Sequence, residues 1–253
     1  ITSYHICEGC AQLPAALLTR RVDWARTIDP KTWAEWQADP PEQDGSKIEG
    51  VKFAQTAVIG TWLNQAASDS VFKDVRVRKA IHLAFDRDAF VKAAAQGYAM
   101  SPGFGFVPKF TEFADPEDLL RKRPGNAASA QKGPEVQQAK DLLKEAGFKQ
   151  GTKVRMIYPD WLYVKIYGPM IAQILEELGF EVDQQTSDYP IWTEKTQAGD
   201  WDVSVGPIIY PFGDPSAFAR PWYACGAPTN WGSFCDQEID GILDQIDIEL
   251  DPA

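Results

Sequence analysis

Residues 72–108 read FKDVRVRKAIHLAFDRDAFVKAAAQGYAMSPGFGFVP, the clearest local pattern in the chain. After Asp74, apolar residues recur at helical spacing, namely Val77, Ala80, Ile81 and Ala84. A second apolar run begins after Asp86 and ends in a Pro/Gly-rich turn. Because an aspartate carboxylate can accept the free backbone N–H groups at a helix start, we expect Asp74 and Asp86 each to cap a helix. The triplet Asp86-Arg87-Asp88 also matches a metal-binding DxD pattern, but capping explains it more simply.

Strands and helices alternate regularly from residue 133 onward. Periodic apolar residues predict helices from 133 to about 146, over 164–178 and over 191–198. Short runs rich in β-branched and aromatic residues predict strands over 154–158, 180–184 and 201–208, after an earlier strand within 51–63. Asp236 is expected to cap a last helix. This alternation with short connections predicts an α/β fold whose sheet is mostly parallel and flanked by helices.

Composition and motifs argue against several classes of function. The 253 residues carry a formal net charge of -11, so the broad cationic surface of a nucleic-acid-binding protein is missing. No apolar run approaches the roughly 20 residues that a membrane-spanning helix needs. No P-loop or dinucleotide fingerprint is present, and the 2 histidines offer no convincing Ser/His/Asp arrangement. These patterns give no candidate catalytic site, and neither a metal nor a cofactor is predicted.

The 72–108 segment resembles one found in the family 5 extracellular solute-binding proteins, which deliver oligopeptides, dipeptides, nickel and some sugars to ABC importers. Four further stretches are similar to the same family in the same order. They are ALLTRRVDWA at 16–25, AKDLLKEAGF at 139–148, IAQILEELGFEV at 171–182 and GDPSAF at 213–218. The resemblance implies a carrier that holds a ligand rather than an enzyme, and a type II periplasmic-binding-protein fold in which two α/β lobes close over one ligand. It also implies a periplasmic or extracellular monomer that docks on membrane permease subunits.

Members of that family are roughly twice the length of this chain. The resemblance therefore implies that residues 1–50 correspond to the end of the first lobe and a linker. Residues 51–253 would then form most of the second lobe, so that the chain is a fragment. We accordingly expect the chain alone to bind solutes poorly.

Three strand exits are aromatic and are candidates for the ligand-binding wall of that lobe. Ligands of open α/β sheets sit beyond the carboxyl ends of the strands, where loops converge. The candidate residues are Trp62, Asn64, Trp161, Tyr163, Ile209, Tyr210, Phe212 and Asp214. The alternative is that these rings only seal the end of the sheet.

One position departs from the peptide-binding members of the family. Those members carry an aspartate just before the GDP element, where it pairs with the amino-terminal ammonium of the peptide, and Pro211 takes that position here. Without that carboxylate the usual charge-assisted hydrogen bond is lost. A peptide, a sugar, an opine-like compound or another small polar solute therefore remains open as the ligand.

The four cysteines form two local pairs. Cys225 and Cys235 flank a Gly/Pro/Asn-containing loop that suits a disulfide, although two free thiols are the alternative. Cys7 and Cys10 form a CxxC that we expect to be a structural disulfide. A thiol–disulfide redox site, or a zinc site with His5, is the competing interpretation. A ligand-sensing receptor module of the same fold is the other functional alternative.

Overall fold

The computed structural model describes residues 12–25, 30–43, 45–51, 57–94, 114–161, 164–209 and 216–249. Within these ranges the helices are α1 (Gln12–Leu18), α2 (Pro30–Ala38), α3 (Val75–Ala84), α4 (Arg87–Ala94), α5 (Glu117–Lys122), α6 (Gly133–Glu145), α7 (Val164–Glu177), α8 (Tyr189–Ala198), α9 (Ser216–Tyr223) and α10 (Gln237–Ile246). The strands are β1 (Glu42–Gln43), β2 (Ser46–Lys47), β3 (Ala57–Leu63), β4 (Thr152–Pro159), β5 (Phe180–Ser187) and β6 (Val203–Ile209). The predicted alternation of strands and helices is therefore confirmed.

The main sheet has four strands in the order β3-β6-β4-β5. Strand β4 runs parallel to both β5 and β6, as the alternation predicts. Strand β3 runs antiparallel to β6, so that Ala57 faces Ile209 and Leu63 faces Val203. We call the end at which β4, β5 and β6 finish the carboxyl end of the sheet, and the other the amino end. Strand β3 finishes at the amino end.

The main hydrophobic core lies on the face of the sheet covered by α3, α4, α6 and α7. Its members are fully or nearly fully buried and include Val77, Ala139, Met156, Leu175 and Val205. Burying an aliphatic side chain of this size contributes about 1.5–3 kcal/mol, so this layer supplies much of the folding free energy. Helix α7 comes close to β4 because Gly168 has no side chain: a Cβ there would lie 2.6 Å from the Tyr158 ring.

The other face of the sheet carries a tryptophan-rich core under α8 and α9. Trp192 is completely buried, and a Cβ at Gly206 would lie 2.2 Å from its ring. Gly206 pairs in register with Gly60, where a Cβ would lie 2.3 Å from Ile208. The paired glycines therefore form a trough across two strands that holds one large ring and one isoleucine.

The predicted aspartate caps are present. The Asp74 carboxylate accepts a hydrogen bond from the Arg76 backbone N–H at 2.8 Å, and that of Asp86 accepts one from the Ala89 N–H at 2.9 Å. Asp236 caps α10 in the same way. These bonds confirm the predicted capping roles of Asp74, Asp86 and Asp236.

Candidate functional site

The three predicted strand exits do not meet at one end of the sheet. Strands β4 and β6 finish at the carboxyl end, with Pro159 and Ile209. Trp62 and Asn64 lie instead at the amino end, because β3 runs antiparallel to β6. The end of β3 therefore points away from the exits of β4 and β6, and a contact of Trp62 or Asn64 with the ligand stays a prediction. The predicted sheet is mostly parallel, and β3 is the strand of this four-stranded sheet that runs antiparallel to its neighbour.

Asn64 is held by hydrogen bonds within the fold. Its side-chain Nδ2 donates to the carbonyl oxygens of Gly199 at 3.1 Å and Trp201 at 2.8 Å, and its Oδ1 accepts from the Ala66 N–H at 2.9 Å. The residue is 7% exposed. Both amide protons are thus used to tie the end of β3 to the connection between α8 and β6, which leaves no donor for a ligand.

Trp62 belongs to a cluster of four tryptophans on the second face of the sheet. Its ring centroid lies 5.1 Å from that of Trp231, 5.6 Å from Trp222 and 6.3 Å from Trp192. Trp231 lies in the loop closed by the Cys225–Cys235 disulfide, which confirms the predicted pairing. The same loop accepts a hydrogen bond from the Gln65 N–H to the Gly232 carbonyl at 2.9 Å. Trp62 is thus partly buried, and its ring contacts help to hold the end of β3 in place.

At the carboxyl end of the sheet, an aromatic pair joins the exits of β4 and β5. Pro159 and Ser187 pair in register, and the Asp160 N–H donates to the Ser187 carbonyl at 2.8 Å. Trp161 follows directly, and its ring centroid lies 5.5 Å from that of Tyr189, the first residue of α8. Trp161 is half-buried and Tyr189 is 40% exposed. Together they form an aromatic surface open to solvent where ligands of such sheets bind.

Tyr189 is a candidate that the sequence pattern missed. The sequence predicts a strand that ends at residue 184 and a helix that begins near 191, which leaves Tyr189 between the two elements. Strand β5 continues to Ser187 and α8 begins at Tyr189, which places this ring directly at the strand exit. Its centroid also lies 5.3 Å from that of the buried Trp192, so Tyr189 connects the surface pair to the core.

The remaining predicted site residues lie outside the part of the chain that the structure describes. These are Tyr163, Tyr210, Phe212 and Asp214, together with Pro211, Cys7 and Cys10. Ile209 is the last residue of β6, at the carboxyl end of the sheet. Its backbone thus lies at the same end as the aromatic pair.

Two exposed carboxylates accompany the aromatic pair. Asp160 directly precedes Trp161, and Asp188 directly precedes Tyr189. Burial raises the pKa of the Tyr158 hydroxyl, and the nearby Asp160 carboxylate raises it further. The carboxyl end of the sheet therefore combines aromatic rings with negative charge.

A separate crevice of about 320 Å³ opens between three helices. It is lined by Ala84, Val136, Lys140, Ile174, Glu177 and Leu178. The last three of these stand at the end of α7, just before β5 begins at Phe180. The crevice thus lies toward the amino end of the sheet and is not continuous with the aromatic pair.

Among the described residues, no group of three His, Cys, Asp or Glu side chains is arranged to hold a metal ion. None of the helices in the described ranges has the length and apolar character needed to cross a bilayer.

Comparison with known proteins identifies relatives for most of the chain. Di/tripeptide-binding protein 1 of Pseudomonas aeruginosa is 22% identical over 183 residues, which are 68% of this chain and 31% of that protein. The periplasmic oligopeptide-binding protein OppA of Salmonella typhimurium is 31% identical over 157 residues, covering 58% of this chain and 26% of that one. The chain spans less than half the length of either protein.

The fold has close counterparts among solved structures. The murein tripeptide binding protein MppA of Escherichia coli matches with a TM-score of 0.76 and 19% sequence identity, over 94% of this chain and 44% of that one. This likeness confirms the predicted periplasmic-binding-protein architecture. The family model for bacterial extracellular solute-binding proteins, family 5 Middle, matches residues 8–230. The chain therefore belongs to the family 5 extracellular solute-binding proteins.

Proposed function

We propose that the protein containing this chain is the substrate-binding component of an ABC importer that takes up peptides. The observation that carries this proposal is the family match over residues 8–230. The peptide class is supported by the names of the relatives, which describe di/tripeptide-, oligopeptide- and tripeptide-binding proteins. The same membership favours binding over the redox chemistry suggested by Cys7 and Cys10.

We place the ligand at the carboxyl end of the sheet, against Trp161 and Tyr189. Their rings are solvent-accessible and adjacent, and each follows the end of a parallel strand. Five further residues remain proposed contacts of the ligand, because they lie at or just after the ends of β4 and β6 in the sequence. They are Tyr163, Ile209, Tyr210, Phe212 and Asp214. Trp62 and Asn64 are left out of the proposed site because internal contacts hold them at the amino end.

The proposed mechanism is closure of two lobes over the peptide. Residues 51–253 would supply one lobe and residues 1–50 the end of the other with the connecting segment. A peptide that contacts both lobes binds the closed form more tightly, and this difference in affinity drives closure. The closed form would then dock as a monomer on permease subunits, on the periplasmic or extracellular side of the membrane.

Calorimetry on the natural protein that contains this chain tests the proposal. We expect Ala-Ala-Ala to bind, whereas maltose and octopine do not. The Trp161→Ala variant should lose at least about tenfold in peptide affinity, because it loses one ring of the pair and a factor of ten corresponds to only about 1.4 kcal/mol. The Ile242→Ala variant removes a side chain that is 49% exposed on α10 and should bind as the wild type does.

Two outcomes would contradict the proposal. Binding of a sugar or an opine without binding of any peptide would overturn the peptide class. Equal peptide affinity in the wild type and the Trp161→Ala variant would overturn the position of the site.

A further inference from the structure

Side-chain hydrogen bonds tie the segment between α5 and α6 to the turn between α3 and α4. The Pro124 carbonyl oxygen lies 2.9 Å from His82 Nε2, and the Gly125 carbonyl oxygen accepts from Arg87 Nη1 at 2.6 Å. The Gly125 carbonyl also accepts from Lys132 Nζ at 2.8 Å. A Cβ at Gly125 would lie 2.4 Å from the His82 ring, so the ring packs directly against this backbone. We call this set of contacts the 124–125 clamp.

The clamp determines which nitrogen of His82 carries the proton when the ring is neutral. A carbonyl oxygen only accepts hydrogen bonds, so Nε2 donates to Pro124. The other ring nitrogen, Nδ1, then has a lone pair, and Arg87 Nη2 donates to it at 3.2 Å. Neutral His82 therefore joins the Pro124 carbonyl to the Arg87 guanidinium, with both of its nitrogens in use.

Protonation of His82 breaks one of these two hydrogen bonds. The added proton lies on Nδ1 and faces the Arg87 N–H group, so two donors oppose each other. Arg87 cannot relieve this conflict, because a guanidinium accepts no hydrogen bond and keeps its charge near neutral pH. Repulsion between two positive charges thus replaces the hydrogen bond. His82 is accessible to solvent, so its charge follows the surrounding pH.

The other charged groups near the clamp do not offset this repulsion. Lys132, just before α6, adds a further positive charge. The negative charge of Glu135 acts in the opposite direction, but its two carboxylate oxygens already accept from Lys132 Nζ at 2.7 Å and from the Gly125 N–H at 2.6 Å. The charged residues within four positions of His82 along the chain are Arg78, Lys79 and Asp86. Two of them are positive, and the third caps α4.

The balance of these contacts opposes protonation in the folded protein. Partial removal of the ring from water and the Arg87 charge both lower the pKa of His82, whereas the hydrogen bond to Pro124 acts in the opposite direction. The unfolded chain therefore binds this proton more readily, at the ordinary histidine pKa of about 6.5. The stability that the neutral clamp contributes is present above about pH 6.5 and is lost as the pH falls toward the lowered pKa.

Apolar contacts hold the neighbouring helices whatever the charge of His82. The Phe90 ring of α4 stacks on the Tyr167 ring of α7, with centroids 4.5 Å apart. Ile81 and Leu83, on either side of His82 in the sequence, are buried. Acid should therefore open the clamp locally and leave the core folded.

We propose that the 124–125 clamp is an acid-sensitive switch, in which protonation of His82 releases the segment between α5 and α6 from the turn between α3 and α4. The residues of the clamp are not among those proposed to contact the peptide. The inference therefore stands or fails separately from the proposed function.

Hydrogen exchange followed by mass spectrometry tests the switch in the natural protein that contains this chain, at about pH 7.5 and about pH 5.0. The His82→Gln variant is the matched control, because a glutamine amide can donate to Pro124 and accept from Arg87 but does not titrate. At the higher pH, residues 123–131 should exchange equally in both proteins. At the lower pH they should exchange about two- to fivefold faster in the wild type, the range for interactions between partly exposed charges, while α7 exchanges equally in both.

Nuclear magnetic resonance titration of the ring gives a second readout. The His82 signal is the one that disappears in the His82→Gln variant, and we expect a neutral form protonated on Nε2 with a pKa below about 6.5. Arg87→Gln should raise that pKa because it removes the opposing charge, whereas Lys31→Gln removes an exposed cation from α2 and should leave it unchanged.

Three results would overturn the inference. The first is a pKa of His82 at or above about 6.5 in the wild type. The second is a pKa that Arg87→Gln leaves unchanged. The third is equal exchange of residues 123–131 in the wild type and the His82→Gln variant at about pH 5.0.

Discussion

The two ends of the main sheet use similar side chains in different ways. At the amino end, Trp62 lies near the end of β3 and contacts three other tryptophans, and Asn64 follows the strand and makes three side-chain hydrogen bonds. At the carboxyl end, Trp161 is partly buried against the main core and contacts Tyr189, which is 40% exposed. An aromatic residue after a strand thus indicates a binding site only when the direction of the strand is known.

Trp192 lies between the two ends and links them. Its ring contacts Trp62 on one side and Tyr189 on the other, and its Nε1 donates to the Ser204 hydroxyl at 3.1 Å. Replacing Trp192 with Ala should lower the free energy of unfolding by about 3–5 kcal/mol, because a fully buried ring leaves a cavity. Urea denaturation followed by circular dichroism measures this loss.

The Trp192→Phe variant is the control for that experiment. It keeps most of the ring volume and loses the hydrogen bond to Ser204, so its cost should be clearly smaller. If the Ala and Phe variants were destabilised equally, the hydrogen bond to Ser204 rather than the packing of the ring would account for the stabilising effect of Trp192.

Asn64→Ala should have the second largest effect, at about 1–3 kcal/mol. The substitution leaves the carbonyl oxygens of Gly199 and Trp201 without the amide donor that now satisfies them. Urea denaturation gives the stability, and calorimetry with Ala-Ala-Ala gives the affinity, which should not change. If the variant lost peptide affinity while its stability stayed unchanged, Asn64 would be a ligand contact, and the two ends of the sheet would not differ in the way described above.

The smallest effect is expected for Asp188→Ala, at no more than about 0.5 kcal/mol, because its side chain makes no capping bond. Asp236→Ala is the matched control: the Asp236 carboxylate accepts from the Glu238 N–H at 2.9 Å, so its loss should cost about 1 kcal/mol. Both values come from the same denaturation measurement. Equal costs would mean that Asp188 is an ordinary cap, contrary to the missing side-chain hydrogen bond.

Much of this fold can be predicted from short-range patterns in the sequence. The caps at Asp74, Asp86 and Asp236 follow from short-range hydrogen bonding, and the helix of residues 164–178 follows from its apolar period. The pairing of Cys225 with Cys235 follows from a loop short enough to close locally. Each of these features depends on residues that are near one another in the chain.

The candidate site is harder to predict because it depends on whether neighbouring strands run parallel or antiparallel. The alternation of side chains along β3 is the same whether the strand runs parallel or antiparallel to β6, so nothing local separates Trp62 from Trp161. Tyr189 was missed because a half-polar strand such as 185–187 carries a weak signal. Strand direction and strand length are set by contacts between segments far apart in the sequence.

The trough formed by Gly60 and Gly206 also restricts which residues can occur together in related sequences. A side chain at residue 206 cannot coexist with an indole at residue 192, since even a methyl group would overlap the ring. In related sequences, therefore, a residue larger than glycine at position 206 should occur together with a residue smaller than tryptophan at position 192. At position 60 a methyl group would meet mainly the tip of the Ile208 side chain, which can change rotamer, so the constraint is weaker there. Positions 206 and 192 should therefore vary together as the family diverges, whatever ligand each member carries.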